Sequence, residues 1–289
     1  MNHVWRSLDR SARASLVALV ALSAGALLVP LLASTDPLAI GDVVARKLLP
    51  PLTRDDSGAL HLLGTDRFGR DLFVRIMLAG RISLAVGLLG SLLAALIGTT
   101  IGAVAGWSGG VVDRIAMAAA DTVLAVPRLI LLLVCAALWQ PGVNTVVVVL
   151  AATGWMGVAR LIRAEVAGAR VRPYVEAASA LGVSSARTLW RHVLPNALGP
   201  AIVATTLGVG SAVMLESGLS FLGLGIQPPA PSWGNMIAGG RDLIVSAPWV
   251  SLAPGLAVIV TVVAATILGD AWRDRLAGES APRVRVDRV

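Results

Sequence analysis

The sequence of 289 residues is strongly apolar, with 56% hydrophobic and 14% charged residues and a mean hydropathy of +0.80. A soluble globular domain carries about 25% charged residues, so this composition excludes that class and favours an integral membrane protein. The net charge of +7 does not indicate nucleic-acid binding, because the arginines flank apolar runs, where anionic lipid headgroups attract them.

Long uncharged runs predict six membrane-spanning helices, since about 20 apolar residues cross roughly 30 Å of hydrocarbon. Gln140–Asn144 interrupts the third run with a proline and a glycine, and it is interpreted as a tight turn between two spans. In chain order, the predicted spans are about 14–33, 82–106, 115–138, 143–159, 196–215 and 249–269. The expected fold class is therefore an all-α integral membrane protein with six transmembrane helices.

The distribution of arginine predicts which ends of the spans face the cytoplasm. The loop Arg160–His192 carries six arginines and two glutamates, whereas Ser217–Pro248 holds only Arg241 and Asp242 as charged residues. Cytoplasmic loops are enriched in lysine and arginine. Six spans then place both termini and the Arg160–His192 loop in the cytoplasm.

The sequence offers no residues for enzymatic chemistry. Its single lysine, Lys47, is followed by leucine, so the Gly-Lys-Ser/Thr of a P-loop ATP site is missing. The three histidines are scattered, no residues have metal-ligand spacing, and the single Cys135 has no partner for an intrachain disulfide. We expect no catalytic, metal-binding or cofactor-binding residue. Transport is the natural function, by a channel, a secondary carrier or a subunit of a pump.

Residues 176–200, EAASALGVSSARTLWRHVLPNALGP, carry signals for local structure within the arginine-rich loop. Pro173, just upstream, suits the first turn of a short helix. Gly182 suits a left-handed helix end, and Ser184 or Ser185 can cap a second short helix. The loop is therefore predicted to be two short helices joined by a bend.

The first of these helices presents a charge beside two small side chains, Glu176, Ala177 and Ala178. Such a thin face fits a groove on a partner protein, where the glutamate meets a basic residue. An ordinary amphipathic helix at the membrane interface is the alternative, and the residues alone leave both open.

The same residues carry a resemblance to a known family. The pattern EAA-x3-G followed by LP, formed by Glu176-Ala177-Ala178, Gly182 and Leu194-Pro195, resembles the cytoplasmic signature of binding-protein-dependent ABC importer permeases. His192 stands where that pattern usually has an aliphatic residue, but Arg191–Asn196, RHVLPN, is similar to the dipeptide, oligopeptide and nickel branch. Three further stretches resemble this branch, namely Leu63–Leu84, Ser217–Trp249 and Leu268–Leu276. The pattern is most similar to the second, dipeptide-permease-C-like subunit.

The resemblance implies a fold like that of type I ABC importer permeases, in a bacterial inner membrane. Residues 1–80 would form an N-terminal span and an extracytoplasmic segment. Residues 81–273 would form the permease core, with the coupling loop at 160–195, and residues 274–289 a cytoplasmic tail. In this family the loop docks on a cytoplasmic ATPase subunit, so ATP and Mg would bind to partner subunits and not to this chain.

The resemblance also implies the other partners and the cargo. A second permease subunit would complete a heterodimer, and an extracytoplasmic binding protein would deliver the substrate. Small peptides are the first cargo implied, with nickel chelates, glutathione or haem as the cargo of relatives. An autonomous secondary carrier is the competing class.

Three ionisable residues in or beside the predicted spans are candidates for the transport pathway or its gating. Asp121 and Arg128 are seven residues apart in the third predicted span, roughly on one helical face, with Pro127 between them. Pairing within the bundle or snorkelling to the cytoplasmic edge is the alternative for these two. Glu216 ends the fifth predicted span.

Three further segments give structural expectations. Small residues recur along the second span at Gly87, Ser91, Ala94, Gly98, Gly102 and Gly106, and this spacing favours close helix packing over pore lining. Thr65–Gly80 is amphipathic and predicts an interfacial helix. Ser217–Gly240 contains three prolines and predicts an irregular, partly inserted segment, not a seventh span.

Overall fold

The computed structural model describes residues 9–33, 38–40 and 43–280, and this part of the chain is mainly helical. The helices are α1 (Arg10–Leu32), α2 (Val43–Arg46), α3 (Leu72–Ser108), α4 (Gly110–Leu124), α5 (Arg128–Leu138), α6 (Val143–Ala152), α7 (Trp155–Ala169), α8 (Pro173–Ala180), α9 (Ser185–Thr188), α10 (Leu194–Phe221), α11 (Trp233–Gly240) and α12 (Trp249–Ser280). A π-helical turn, Leu189–Val193, joins α9 to α10, and a 3-10 turn, Arg241–Leu243, follows α11. Beyond residue 280, the predicted cytoplasmic tail lies outside the described residues.

Five helical stretches of the described chain are long and apolar enough to cross a membrane. They are Arg10–Leu32, Leu72–Ser108, Val143–Ala169, Ser185–Phe221 and Trp249–Leu276. The pair α4 and α5 passes the same test together, but the two helices are bent by 87°. If this pair is counted as one span, the six predicted spans are all present.

The straight helix predicted over 115–138 is wrong, because the chain breaks at Pro127. A proline has no backbone N–H and disfavours helical geometry in the residue before it. Accordingly α4 ends at Leu124, and α5 begins directly after the proline. The third span consists of two half-helices.

The interfacial helix predicted over Thr65–Gly80 is also wrong. From its cap at Asp71, whose carboxylate accepts a bond from a backbone N–H of the first turn at 3.0 Å, α3 runs without a break. Charges in its first turns do not stop it, because they find partners in the protein. Arg75 Nε lies 3.4 Å from Asp66 Oδ2, and Arg81 donates to the carbonyls of Ala26 and Leu27 in α1 at 2.6 Å.

A small folded segment precedes α3, built around two short antiparallel strands, β1 (Thr53–Arg54) and β2 (Leu60–His61). The buried carboxylate of Asp55 accepts bonds from the Ser57 hydroxyl at 2.6 Å and the Ala59 N–H at 2.9 Å. The hydroxyl bond has the largest effect and, with the other contacts, lowers the pKa of Asp55 to about 2. This carboxylate is therefore ionised at neutral pH and closes the hairpin.

The frame of the bundle is the close approach of α3 to α7. Cβ atoms added at Gly98, Gly102 and Gly106 would lie only 2.3–2.5 Å from backbone carbonyl oxygens of α7. Non-bonded carbon and oxygen atoms do not approach so closely, so glycine is required for this crossing. The predicted packing role is confirmed for these three residues, which face α7 and not a pore.

Two glycine-to-alanine changes test this packing. In Gly102→Ala, the added methyl group would meet the α7 backbone at 2.3 Å, and we expect a loss of about 1–3 kcal/mol in unfolding free energy. In Gly157→Ala, no atom lies within 4 Å of the new methyl group, so the higher helix propensity of alanine should stabilise the protein by up to about 1 kcal/mol. Thermal unfolding of both variants in detergent measures the difference, and equal melting temperatures would contradict the packing role.

Candidate functional site

The loop after α7 folds as two short helices with a fixed bend. α8 starts with proline at its first position, and beyond its end Gly182 adopts a φ of 75°. The N–H of Gly182 donates to the carbonyl of Ser179 at 3.0 Å, and the N–H of Val183 donates to that of Ala178 at 3.1 Å. These two bonds define a Schellman motif. The helix end predicted at Gly182 is confirmed, whereas Ser184 precedes α9 without a side-chain capping bond.

One side of this loop is anchored in the bundle. Four loop side chains are buried in a cluster with residues of α3, α7 and α10, namely Val175, Leu189, Val193 and Leu194. Near the end of α3, Trp107 Nε1 also donates to Ser185 Oγ at 2.6 Å. Because α9, the π-helical turn and α10 follow without a break, a displacement of the loop acts directly on α10.

The opposite side of the loop is exposed, and we call it the loop surface: Val171, Tyr174, Glu176, Ala177 and Leu181. Two of its apolar side chains are almost fully accessible, Val171 at 76% and Leu181 at 83%. Glu176 and Ala177 are exposed beside them, and Ala178 is half-buried at the edge. The loop surface therefore combines apolar contact area with one carboxylate.

Two of the residues predicted for coupling do not belong to the loop surface. Leu194 is buried at 8% exposure, and Pro195 is exposed in the first turn of α10. They join the loop to the membrane helix and do not form part of its exposed face.

Asp121 and Arg128 do not share a helical face as predicted, because the bend after α4 separates them. Asp121 forms an ion pair with Arg160 of α7. About two turns earlier in α4, the Asp113 carboxylate accepts two hydrogen bonds from the Arg163 guanidinium of α7, at 2.9 and 2.5 Å. This second ion pair was not predicted from the sequence. The two contacts attach α4 to the frame helix α7.

Arg128 lies instead at the start of α5, against the α3–α7 contact. Its Nη2 is so close to Gly154 that a Cβ there would meet it at 3.2 Å. A cavity of about 50 Å³ beside it is also lined by Ser91, Thr205 and Gly208. Arg128 is thus next to a small opening between three helices.

Glu216 is completely buried in α10 and is bound by hydroxyl groups. Ser83 Oγ of α3 donates to Glu216 Oε2 at 3.0 Å, and Ser220 Oγ donates to Oε1 at 2.7 Å. Each hydroxyl in turn accepts a backbone N–H, from Trp233 at 3.2 Å and from Ile226 at 3.0 Å. The carboxylate therefore joins α3 and α10 to the segment that follows α10. No local sequence signal pointed to Ser83, which is 133 residues away.

The segment after α10 is not a seventh span, as predicted, but the irregular part is shorter than the predicted Ser217–Gly240, because Ser217–Phe221 extends α10 and Trp233–Gly240 forms α11. α10 continues to Phe221, and only the short α11 interrupts the turns before α12. Asn235 Nδ2 donates to the carbonyls of Ile226 and Ala230 at 3.1 and 2.9 Å, and so satisfies acceptors near the prolines. The indole of Trp233 is buried and donates to Ile76 of α3 at 3.0 Å. Among the described residues, none from 222 to 248 lies in a helix that qualifies as a span.

The described chain is a bundle of membrane-length helices with a loop that is anchored on one side and exposed on the other, which is the architecture of a membrane permease. Residues 98–279 match the family described as "Binding-protein-dependent transport system inner membrane component". The chain belongs to this family.

Curated relatives agree with this assignment. The chain is 42% identical over 84% of its length to a "Probable peptide ABC transporter permease protein" of Sinorhizobium fredii, 83% of which is covered. It is 36% identical over 96% of its length to a "Putative peptide transport system permease protein" of Brucella suis, of which 90% is covered. It is 37% identical over 75% of its length to a "Dipeptide transport system permease protein" of Alkalihalophilus pseudofirmus, of which 72% is covered.

A solved structure supports the fold. The MetNI methionine ABC transporter, in an inward-facing conformation, includes a chain with a TM-score of 0.55 and 19% identity, and the match covers 73% of our chain and 97% of that chain. The expected importer-permease fold is therefore confirmed, and the protein is a multi-span permease of the inner membrane.

The buried Glu216 is predicted to act as a structural link. In Glu216→Ala, the Ser83 and Ser220 hydroxyl protons lose their acceptor in a buried site, so unfolding should cost about 2–4 kcal/mol less than in the wild type. Ser217→Ala is the matched control, because its hydroxyl lies 3.4 Å from Glu216 and should change stability by less than about 0.5 kcal/mol. Thermal unfolding in detergent compares them, and equal stability of the two variants would refute the link.

Proposed function

We propose that the chain is one permease subunit of an ATP-driven importer that carries small peptides delivered by an extracytoplasmic binding protein. The family description supports the dependence on a binding protein and argues against an autonomous secondary carrier. The relatives described above are named for peptide or dipeptide transport. Their names do not mention nickel, glutathione or haem, so peptides are the cargo we propose.

In this proposal a second permease subunit completes the pathway as a heterodimer. Separate ATPase subunits bind ATP and Mg, since this chain has no P-loop. The loop surface docks on the ATPase, with Glu176 against a basic side chain there and Val171 and Leu181 in apolar contact. Because the anchored side of the loop is continuous with α10, movement of the ATPase is passed to the membrane helices.

The proposed orientation places both termini and the loop surface in the cytoplasm. The arginine-rich loop between α7 and α10 supports this orientation through the positive-inside rule. The hairpin before α3 and the segment around α11 then lie on the extracytoplasmic side, where the binding protein arrives. Glu216 is buried in the core of the proposed subunit, whereas Asp121 and Arg128 are exposed at its surface.

The docking role carries the proposal, and two variants of the loop test it. In vesicles containing the complete complex, Glu176→Lys and Ala178→Trp should uncouple peptide uptake from ATP hydrolysis. A charge-assisted contact contributes about 1.5–3 kcal/mol, so docking should weaken about ten- to hundredfold. ATP-dependent uptake of a labelled dipeptide and ATPase activity stimulated by the loaded binding protein are measured together.

Glu165→Lys is the matched control for the charge reversal, because Glu165 is exposed on α7 outside the loop surface. We expect this variant to transport at the wild-type rate. Insertion of all variants is checked by their amount in the membrane. Wild-type uptake by both loop variants would show that the loop surface does not couple.

The orientation is tested by single cysteines in a Cys135→Ser background. Val245 is 94% exposed after α11 and Leu181 is 83% exposed in the loop surface, so both positions are accessible to a reagent. In sealed cells, Val245→Cys should react with an impermeant thiol reagent added outside. Leu181→Cys should react only after the membrane is permeabilised. It is tested in cells that lack the ATPase subunits, because these would cover the loop surface. The reverse pattern would invert the proposed topology.

A further inference from the structure

Arg128 lies near the middle of the membrane-crossing bundle. Its Nη2 approaches Gly154, and a Cβ at Gly154 would meet Ala94 of α3 at 2.9 Å. Gly154 itself lies near the middle of the membrane-length stretch Val143–Ala169. With a rise of 1.5 Å per residue, it is about 17 Å from one end of that stretch and about 23 Å from the other. The guanidinium is therefore far from both membrane surfaces.

Arg128 has no polar partner among the described residues. The neighbouring acids are occupied, since Asp121 pairs with Arg160 and Glu216 accepts bonds from serine hydroxyls. The Arg128 side chain is nevertheless exposed at the surface of the isolated subunit. A charged group at this depth does not face hydrocarbon, so this surface must face water or another protein group.

The space beside Arg128 fits a small anionic group. The cavity of about 50 Å³ has walls of small residues, including Gly154 and Gly208, and is open to Ser91 and Thr205. Ser91 Oγ already donates to the Thr205 carbonyl at 2.8 Å, so the guanidinium is the group left to bind a ligand. Its planar fork matches a carboxylate, which it can bind through two parallel hydrogen bonds.

The local backbone also suits a transient site. Arg128 is the first residue of α5, directly after the 87° bend between α4 and α5. α4 is held to α7 by two ion pairs, whereas α5 packs through Leu132 and Ala136 on apolar residues. The guanidinium therefore stands at the junction of two half-helices that are attached to the bundle in different ways.

We propose that Arg128 binds the C-terminal carboxylate of the peptide cargo as the cargo crosses the membrane. This role rests on the importer function proposed above, and it names the chemical group that the pathway recognises. A peptide that enters the bundle loses the water around its terminal carboxylate. The arginine replaces that water with two charge-assisted hydrogen bonds at the point of deepest burial, and so lowers the barrier to passage.

Charge restoration at a single cysteine tests the proposal in the complete complex, with Cys135→Ser and cysteine-free partners. Arg128→Cys should lower ATP-dependent uptake of a neutral-side-chain dipeptide at least about tenfold. Treatment with a cationic aminoethyl methanethiosulfonate should restore most of this uptake. The anionic sulfonatoethyl reagent should react at the same site without restoring it.

Two further variants control for access and for charge alone. Arg114→Cys removes an exposed arginine from α4, and its uptake should be the same with either reagent. Leu132→Cys lies one turn along α5 from Arg128 at a fully buried position, and it should not react. Equal effects of the two reagents on Arg128→Cys, or no reaction there in any nucleotide state, would overturn the proposal.

The nature of the cargo group is tested with a C-terminally amidated dipeptide, supplied at saturating occupancy of the binding protein. In Arg128→Gln, the ratio of free-acid to amide uptake should fall at least about tenfold from the wild-type ratio, because the amide lacks the charge that Arg128 binds. An equal decline for both cargos would overturn the carboxylate role. Loss of the second permease from the purified Arg128→Gln complex would also overturn it, by assigning Arg128 to the subunit interface.

These outcomes are separate from failure of the proposed function. If the wild-type complex hydrolyses ATP but imports neither dipeptide, the peptide-importer function fails and the inference fails with it. If the wild type imports the dipeptide and charge at position 128 has no effect, only the role of Arg128 is overturned.

Discussion

A polar or charged group at membrane depth must find its partner inside the protein or in a water-filled space, and this constraint accounts for several long-range hydrogen bonds that tie the segments of the bundle together. Arg81 donates to the carbonyls of Ala26 and Leu27 in α1, and Pro30 has no N–H to donate to the first of these. Asn235 donates hydrogen bonds to the carbonyls of Ile226 and Ala230, near the prolines after α10. Glu216 accepts hydrogen bonds from two serine hydroxyls, and through them it links α3, α10 and α11. Polar contacts thus fix the positions of segments that apolar packing alone would leave free to slide.

Two mechanical parts result from this arrangement. The first is the frame of α3 and α7, whose backbones approach too closely for any Cβ at Gly98, Gly102 or Gly106. The second is the bent pair α4 and α5, attached to the frame through ion pairs at one half and apolar contacts at the other. The loop surface is joined to α10, which packs against the frame. The loop is thus in contact with both the frame and α10, which is the arrangement that the proposed coupling role requires.

Local signals predicted much of the fold, and long-range partners account for what they missed. Length and hydropathy located the spans. Gly182 predicted a helix end because a left-handed φ, which glycine favours, depends on the residue itself and not on distant contacts. The bend after α4 was missed because the seven-residue spacing of Asp121 and Arg128 suggested that they share one face of a continuous helix. Pro127 between them favours a helix break, and this effect is the one that the structure shows. The start of α3 was misplaced because Arg75 and Arg81 looked like surface charges. Their partners, Asp66 and two carbonyls within α1, are brought close only by tertiary structure.

Glu216 and Arg128 are ionisable residues of membrane-spanning helices with opposite surroundings. Glu216 is fully enclosed, and hydroxyl groups satisfy both of its oxygens, so any cargo that bound it would have to break these bonds and detach α11. Arg128 has no such bonds within the described chain and follows the bend between α4 and α5, beside a small cavity. An arginine at the centre of a span costs about 2.5–3.5 kcal/mol on insertion scales, and no contact among the described residues offsets this cost. In the role proposed for Arg128, the carboxylate of the cargo offsets it, so the same interaction that satisfies the arginine replaces the water that the cargo loses.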